Sequence, residues 1–332
     1  MKNTSMNFAV FTAAIVKKIQ EKAGSGFRIL SGTVKKNNGI ELTGIIIEEK
    51  GCNTSPTIYI DDFFGDYRNG LGIGEIAETI WQIYRKNRFE ESVDLSNFTD
   101  YQKAKRQIAI RLVNYEKNKE LLVDVPFKRF LDLAVIFYYS VQEPPFYGKA
   151  SILICREHLE KWDISLEELY QNARSNTQVL FPARIENIES VMVEMLEKGL
   201  ADKASLFEAG GLGPDGQEWM DELLSQLQRD FEREENKIPM YVLSNTQKLY
   251  GAACILYVNI LEKFSILINS DFYILPSSVH EVILLPVSEH SSTPALLDMV
   301  TEINKTQVEE SEILADSVYY FAREDNSVRQ LG

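Results

Sequence analysis

The sequence predicts an α+β fold, in two units built from β-hairpins and antiparallel sheet packed against amphipathic helices. Three observations lead there. Asn38-Gly39 stands between β-rich runs at Phe27–Val34 and Ile40–Ile47, and both residues tolerate the positive φ that a hairpin turn needs. A second pair of β-rich runs, Phe130–Val141 and Ala150–Cys155, is broken by Pro144-Pro145 and Gly148, so a second hairpin is expected. Between such runs, apolar residues recur at three- and four-residue steps, which is one face of a helix.

Taken in order, Phe8, Phe11, Ile15 and Ile19 mark a first helix, with Asn3, Thr4 and Ser5 available as its N-cap and Lys17, Lys18 and Lys22 at its negative end. The same patch does not read as a secretory leader, because two lysines follow it directly and no small-x-small cleavage site precedes them. The Asn-Gly hairpin follows, then a short strand at Thr57–Ile60. A helix is expected over Gly72–Lys86, lined by Ile73, Ile76, Ala77, Ile80, Ile83 and Tyr84. Another is expected over Thr99–Glu116, with Ile108, Leu112 and Tyr115 inward. This completes an N-terminal unit, residues 1–118.

The C-terminal unit, residues 119–332, opens with the second hairpin. Ser165 and Glu168 have capping-box spacing, so a helix should run from there to about Asn176. A further helix is expected over Glu186–Lys198, a Gly-rich loop over Gly199–Gly216, and an amphipathic helix carrying Trp219, Leu223, Leu227 and Phe231. Residues 199–235 read as a variable helical insertion. The remainder alternates: strands near Tyr241 and over Ala252–Leu256, a helix over Val258–Ile268, strands at Phe272–Leu275 and His280–Leu285, a helix over Pro294–Asn304, and a strand at Val318–Phe321.

Composition bounds the function. With 332 residues, 45% apolar and 25% charged, the chain is long enough for two cores, and a net charge of −14 argues against coating DNA or an anionic membrane. Cys52, Cys155 and Cys254 are odd in number and widely spaced, the usage of a reducing cytoplasm. No apolar stretch approaches a bilayer span. Charge is uneven: basic residues dominate up to Ile40, and acids dominate from Glu186 to Glu235. A basic partner, or a second copy of the chain, could use that polarity.

No catalytic motif passes its context test. Gly72-Ile-Gly74-Glu-Ile-Ala77 has the form of a dinucleotide loop, but a polar, turn-forming segment precedes it where a buried strand is required. His280-Glu281 lacks the second histidine of a zinc helix, since Leu284 stands there. No metal and no cofactor is therefore expected. The candidate catalytic residues are Ser278, His280 and Glu281, within the polar step Ser277–Glu281: hydroxyl, imidazole and carboxylate in close succession. In a strand Ser278 and His280 would share a face and Glu281 would oppose them, and turn chemistry accounts for all three without a substrate. Lys103, Lys105, Arg106, Arg111, Lys117 and Lys119, interleaved with Tyr101 and Tyr115, could meet phosphates from one helix face.

Asn114-Tyr-Glu-Lys-Asn-Lys119, Val125-Pro-Phe-Lys-Arg-Phe-Leu-Asp132, Gly251-Ala-Ala-Cys-Ile-Leu-Tyr257 and the run Asp271–Ile283 resemble an uncharacterised bacterial family of anaerobic Gram-positive organisms, domain of unknown function number 5688. Thr43-Gly44 and Ser55–Tyr59 fit its pattern too, and the likeness covers most of the chain outside Gly199–Glu235. From Leu159 onward the chain more loosely resembles a second uncharacterised family of Gram-positive cytosolic proteins. Neither likeness implies a reaction, cofactor or catalytic residue; both imply a bacterial, cytoplasmic protein. The expectation is a non-enzymatic module working through a protein partner or self-association, with no membrane involvement and nucleic acid not an expected partner. The alternatives are a hydrolase or transferase using Ser277–Glu281, and a nucleic-acid accessory factor.

Overall fold

The computed structural model describes residues 6–88, 94–142, 144, 146, 150–194, 239–276, 278–288 and 292–332. The chain opens with α1 (Phe8–Ala23), β1 (Phe27–Lys35), β2 (Glu41–Glu49), β3 (Thr57–Tyr59), α2 (Asp61–Arg68) and α3 (Ile73–Asn87). Short helices α4 (Ser96–Thr99) and α5 (Tyr101–Ala104) lead to β4 (Ile108–Asn114), α6 (Leu121–Asp124), β5 (Lys128–Phe130), β6 (Leu133–Val141), β7 (Ala150–Leu153), α7 (Arg156–Trp162) and α8 (Leu166–Leu180). Then come β8 (Ala183–Asn187), β9 (Tyr241–Asn245), a 3-10 turn (Gly251–Leu256), α9 (Ile260–Ile268), β10 (Phe272–Leu275), β11 (Val282–Pro286), α10 (Thr293–Thr306), β12 (Val318–Ala322) and β13 (Ser327–Leu331). The fold is α+β, and its paired strands run antiparallel.

These elements fall into two units that interleave along the chain. Unit 1 takes Met1–Gln107, Lys117–Val125 and Tyr138–Asp163; unit 2 takes Ile108–Glu116, Pro126–Phe137 and Ile164–Gly332.

In unit 1, β1, β2 and β3 form a three-stranded sheet. Its Ile29, Ile45, Ile47 and Ile58 pack against Phe11, Ile15 and Ile19 of α1 and Ile76, Ile80 and Tyr84 of α3. Asn38 and Gly39 adopt φ of 62° and 71°, the left-handed turn that the Asn-Gly pair predicts. Gly44 lets β3 approach, because a Cβ there would meet the Thr57 methyl at 2.5 Å. The cap of α1 is Asn7, whose Oδ1 accepts from the Val10 N–H at 3.0 Å; Asn3, Thr4 and Ser5 lie outside the described residues. A second cluster joins Phe98, Tyr139, His158 and Trp162, ring on ring at 5.0 to 5.7 Å.

Unit 2 is organised on a six-stranded sheet, ordered β13-β12-β10-β11-β9-β8. Strand alternation divides β10 between two layers. Tyr273 and Leu275 pack with Leu296 and Val300 of α10, whereas Phe272 packs between Phe264 of α9 and Phe321 of β12. Ser165 caps α8 as its spacing predicts, its Oγ accepting from the Glu168 N–H at 3.1 Å. The helix continues to Leu180, one turn beyond Asn176.

Four expectations are corrected. Thr99–Glu116 is not one helix: only short turns precede β4, which is buried at every residue except partly buried Arg111. A strand buried on both faces shows no alternation, and the four- and three-residue steps of Ile108, Leu112 and Tyr115 imitated a helix. Gly251–Leu256 is a fully buried 3-10 turn rather than a strand. Glu186 belongs to strand β8, and helix starts only at residue 188. His280 precedes β11, which begins at Val282. The loop and helix expected over 199–235 lie outside the described residues.

Candidate functional site

The step between β10 and β11 brings together Ser278, His280 and Glu281, all within unit 2; Ser277 lies outside the described residues. The step is a turn, so strand alternation does not govern its side chains. Ser278 is 5% exposed. Its hydroxyl donates to Glu281 Oε1 at 3.1 Å and accepts the His280 backbone N–H at 3.0 Å, while its own N–H donates to the Glu281 carbonyl at 3.4 Å. These bonds close the turn.

The imidazole of His280 is held by other residues. The Tyr250 backbone N–H donates to Nδ1 at 3.2 Å, which leaves Nε2 to carry the proton of the neutral ring. Nε2 lies 3.4 Å from Glu312 Oε1, and the side chain is 23% exposed. The ring stacks on Tyr250 at 5.7 Å and 13°. Arg111, on β4, lies over the same tyrosine with its guanidinium carbon 4.7 Å from the centroid. A serine nucleophile needs an unprotonated imidazole nitrogen as its proton acceptor. Here that nitrogen accepts from the Tyr250 amide, and the Ser278 hydroxyl points its proton at a carboxylate.

Behind the turn, Ser244 Oγ donates to the His280 carbonyl at 2.7 Å, and Gly251 packs so closely that a Cβ would overlap both groups. Tyr250, Glu312 and Ser244 escaped the reading of the sequence, and Arg111 was read there only as a candidate phosphate contact. They come from four segments far from residue 280, and no local spacing signals them.

The other motifs resolve into local structure. The Gly72 N–H donates to Glu75 at 2.9 Å, so the carboxylate of α3 itself occupies an amide that a phosphate would need, and helix α2 precedes rather than a strand. Burial pushes the Cys254 thiol up to about 12. Burial, with Asp124 and Glu157 adding to it, also raises Cys155, so neither thiol is poised as a thiolate. His158 is a capping residue: its Nδ1 accepts from the Cys155 N–H at 2.9 Å, and burial lowers its pKa. His290 lies outside the described residues. Among the described residues no cluster of three or more His, Cys, Asp or Glu side chains could hold a metal ion, and no helix is long and apolar enough to cross a membrane. Lys103 to Lys119 do not share a helix face, because β4 interrupts them and Arg111 is turned onto Tyr250.

Two depressions lie among the described residues of the separate units. A cleft of about 600 Å³ in unit 1 is bordered by Arg28, Glu48, Lys50 and Cys52, and Arg28 faces Glu48 at 3.6 Å. A groove of about 360 Å³ in unit 2 lies among Tyr170 and Arg174 of α8, Val258, Glu262 of α9, Phe321 and Val328.

Antiparallel sheets carrying helices, with a polar turn locked by its own hydrogen bonds, place the protein among α+β proteins whose fold announces no chemistry. Residues 8–323 match the model of a family of unknown function, DUF5688, and the chain belongs to that family. No curated protein and no solved structure matches it.

Proposed function

We propose that this chain is a non-enzymatic, cytoplasmic bacterial protein that works by protein–protein contact, through the outward face of α9 in unit 2. The observation that carries the reading is apolar exposure. Ile266 and Leu267 are 62% and 77% exposed on a nine-residue helix, and Val258, just ahead of it, is 55% exposed. Neighbouring apolar side chains left in water cost free energy that a partner surface recovers, at about 25 cal/mol per Å² buried. Cys52, Cys155 and Cys254 are not joined to one another by a disulfide, consistent with a reducing compartment.

Charge polarity supports the reading less. Lys18, Lys22, Arg28 and Lys35 pair with Glu21, Glu78, Glu48 and Glu120, and Lys36 sits over Tyr59, so the basic N-terminal residues are largely engaged within unit 1. Most of the acids between Glu186 and Glu235 lie outside the described residues.

The test is sedimentation velocity on the full chain, with a tagged pull-down from the native cell. Wild-type protein should self-associate or retain a stoichiometric partner, and Ile266→Asp with Leu267→Asp should abolish whichever occurs. A monomer that retains nothing, or a double variant that behaves as wild type, would sink the reading.

A further inference from the structure

The groove of unit 2 carries two charges that nothing among the described residues neutralises. Arg174, partly buried on α8, is fixed at one atom: its Nε donates to the Leu256 carbonyl at 3.2 Å. Among the described residues its terminal nitrogens meet no acceptor. Glu262, partly buried in the first turn of α9, has no side-chain partner among the described residues either. Both line the same groove, yet they do not pair with each other. Partly desolvated charges are normally paired, because burial weakens hydration and leaves the Coulomb term to compensate. A guanidinium and a carboxylate that line one groove without pairing are complementary to a molecule that bears the opposite two charges.

The rest of the lining indicates what lies between those charges. Phe130, Tyr170, Phe321 and Val328 supply aromatic and aliphatic wall. Tyr170 is itself fixed, edge-on to Phe137 at 6.5 Å and under the Lys128 ammonium at 4.5 Å. A volume of about 360 Å³ lies at the small end of the range for ligand sites, roughly 300 to 1,000 Å³, and suits a molecule of a few residues rather than a folded partner.

We propose that this groove binds a short peptide with free termini and an apolar side chain. The peptide carboxylate meets the free end of Arg174 in a charge-assisted, bidentate bond, its ammonium meets Glu262, and its side chain lies on the aromatic wall. The anchored Nε matters: it holds the guanidinium plane before the ligand arrives, which lowers the ordering cost of binding.

The experiment is calorimetric titration of the full chain with leucyl-leucine, its C-terminal amide and its N-acetyl derivative. Wild type should bind the free dipeptide at millimolar concentration or better, and each cap should weaken binding by about tenfold, as expected for one lost charge contact. Arg174→Gln should weaken the free dipeptide to the level of the amide and leave the amide unchanged. Glu262→Gln should do the same against the N-acetyl form, and Arg174→Lys should recover part of the loss. No binding by wild type, or variants that weaken capped and free dipeptides alike, would overturn the proposal. Should Arg174→Gln lower the melting temperature, the Glu262→Gln and N-acetyl comparison decides alone. The Ile266→Asp, Leu267→Asp protein should still bind the dipeptide, so failure of the groove and failure of the α9 contact are read separately.

Discussion

A Cβ at position 251 would overlap Ser244 Oγ, the His280 carbonyl oxygen and the Asn245 backbone nitrogen. Ser244 and the His280 carbonyl are bonded to each other, so the methyl of Gly251→Ala has to part them. The expected cost is at least the 1 to 3 kcal/mol or so typical of an overpacked core. Gly74 is the control. It sits near the start of α3 with open space around its Cβ position, and Gly74→Ala should stabilise by roughly 0.5 to 1 kcal/mol. Urea denaturation of the two variants checks both signs. Two phenols make a second prediction, in alkali. Burial first, and a hydrogen bond to Glu49 second, push Tyr84 up to about 12; the bond to Asp271 first, and burial second, push Tyr320 to about 12. A folded pKa above the unfolded value of about 10 stabilises fully below pH 10, and the contribution drains as pH rises through about 12. Melting temperature should therefore fall across that window, and Tyr84→Phe should make the fall shallower. At this scale the candidate turn was legible in part. Ser278, His280 and Glu281 are near neighbours and could be found by eye. Tyr250, Arg111, Glu312, Arg174 and Glu262 could not, because what joins them is tertiary.

Elements with one wet face were the readable ones. α1 and α3 show helical spacing because water lies on their far side, and the Asn38-Gly39 turn is stated by its backbone chemistry. β4 and the Gly251–Leu256 turn are buried nearly throughout; the turn has no polar side chain to mark a period, and the two of β4, Arg111 and Asn114, lie three apart and do not show the alternation of a strand. The cap of α8 was legible from the spacing of Ser165 and Glu168, whereas the same three-residue spacing from Asn7 to Val10 at α1 was passed over for Asn3, Thr4 and Ser5. Ser165→Ala removes the acceptor of the Glu168 N–H and should cost about 1 kcal/mol, a loss that denaturant titration can read. His158 gives α7 a pH dependence of the opposite sense to the tyrosines. Burial, the leading cause, holds its pKa below the ordinary value of 6.5, with Lys161 contributing. Stability from the neutral ring is present above that ordinary value and is lost as pH falls below it through the folded pKa. Protonated Nδ1 cannot accept the Cys155 N–H, so the amide of Cys155 should exchange faster with solvent in mild acid. His158→Gln should remove most of that pH dependence.

For the whole molecule, β6 is the element with the widest consequences. All nine of its residues are buried; its first half pairs with β5 in unit 2 and its second half with β7 in unit 1. Unfolding either unit draws one end of a single strand out of register. Calorimetry should therefore show one cooperative transition rather than two, and Phe137→Ala and Tyr138→Ala, adjacent residues assigned to different units, should lower the same transition temperature. Reading along the chain cannot represent such sharing, because it cuts a sequence at points and this chain crosses between units repeatedly. That crossing has a consequence during synthesis. Unit 1 draws its last strand and helix from residues up to Asp163, so a ribosome that has released only the first hundred residues has made none of its parts beyond Gln107. The core of α1, α3 and the first sheet can close within that length, but Phe98 and Tyr101 must wait uncovered for Tyr139 and Trp162, a window in which a nascent chain is open to holdase chaperones and to self-capture.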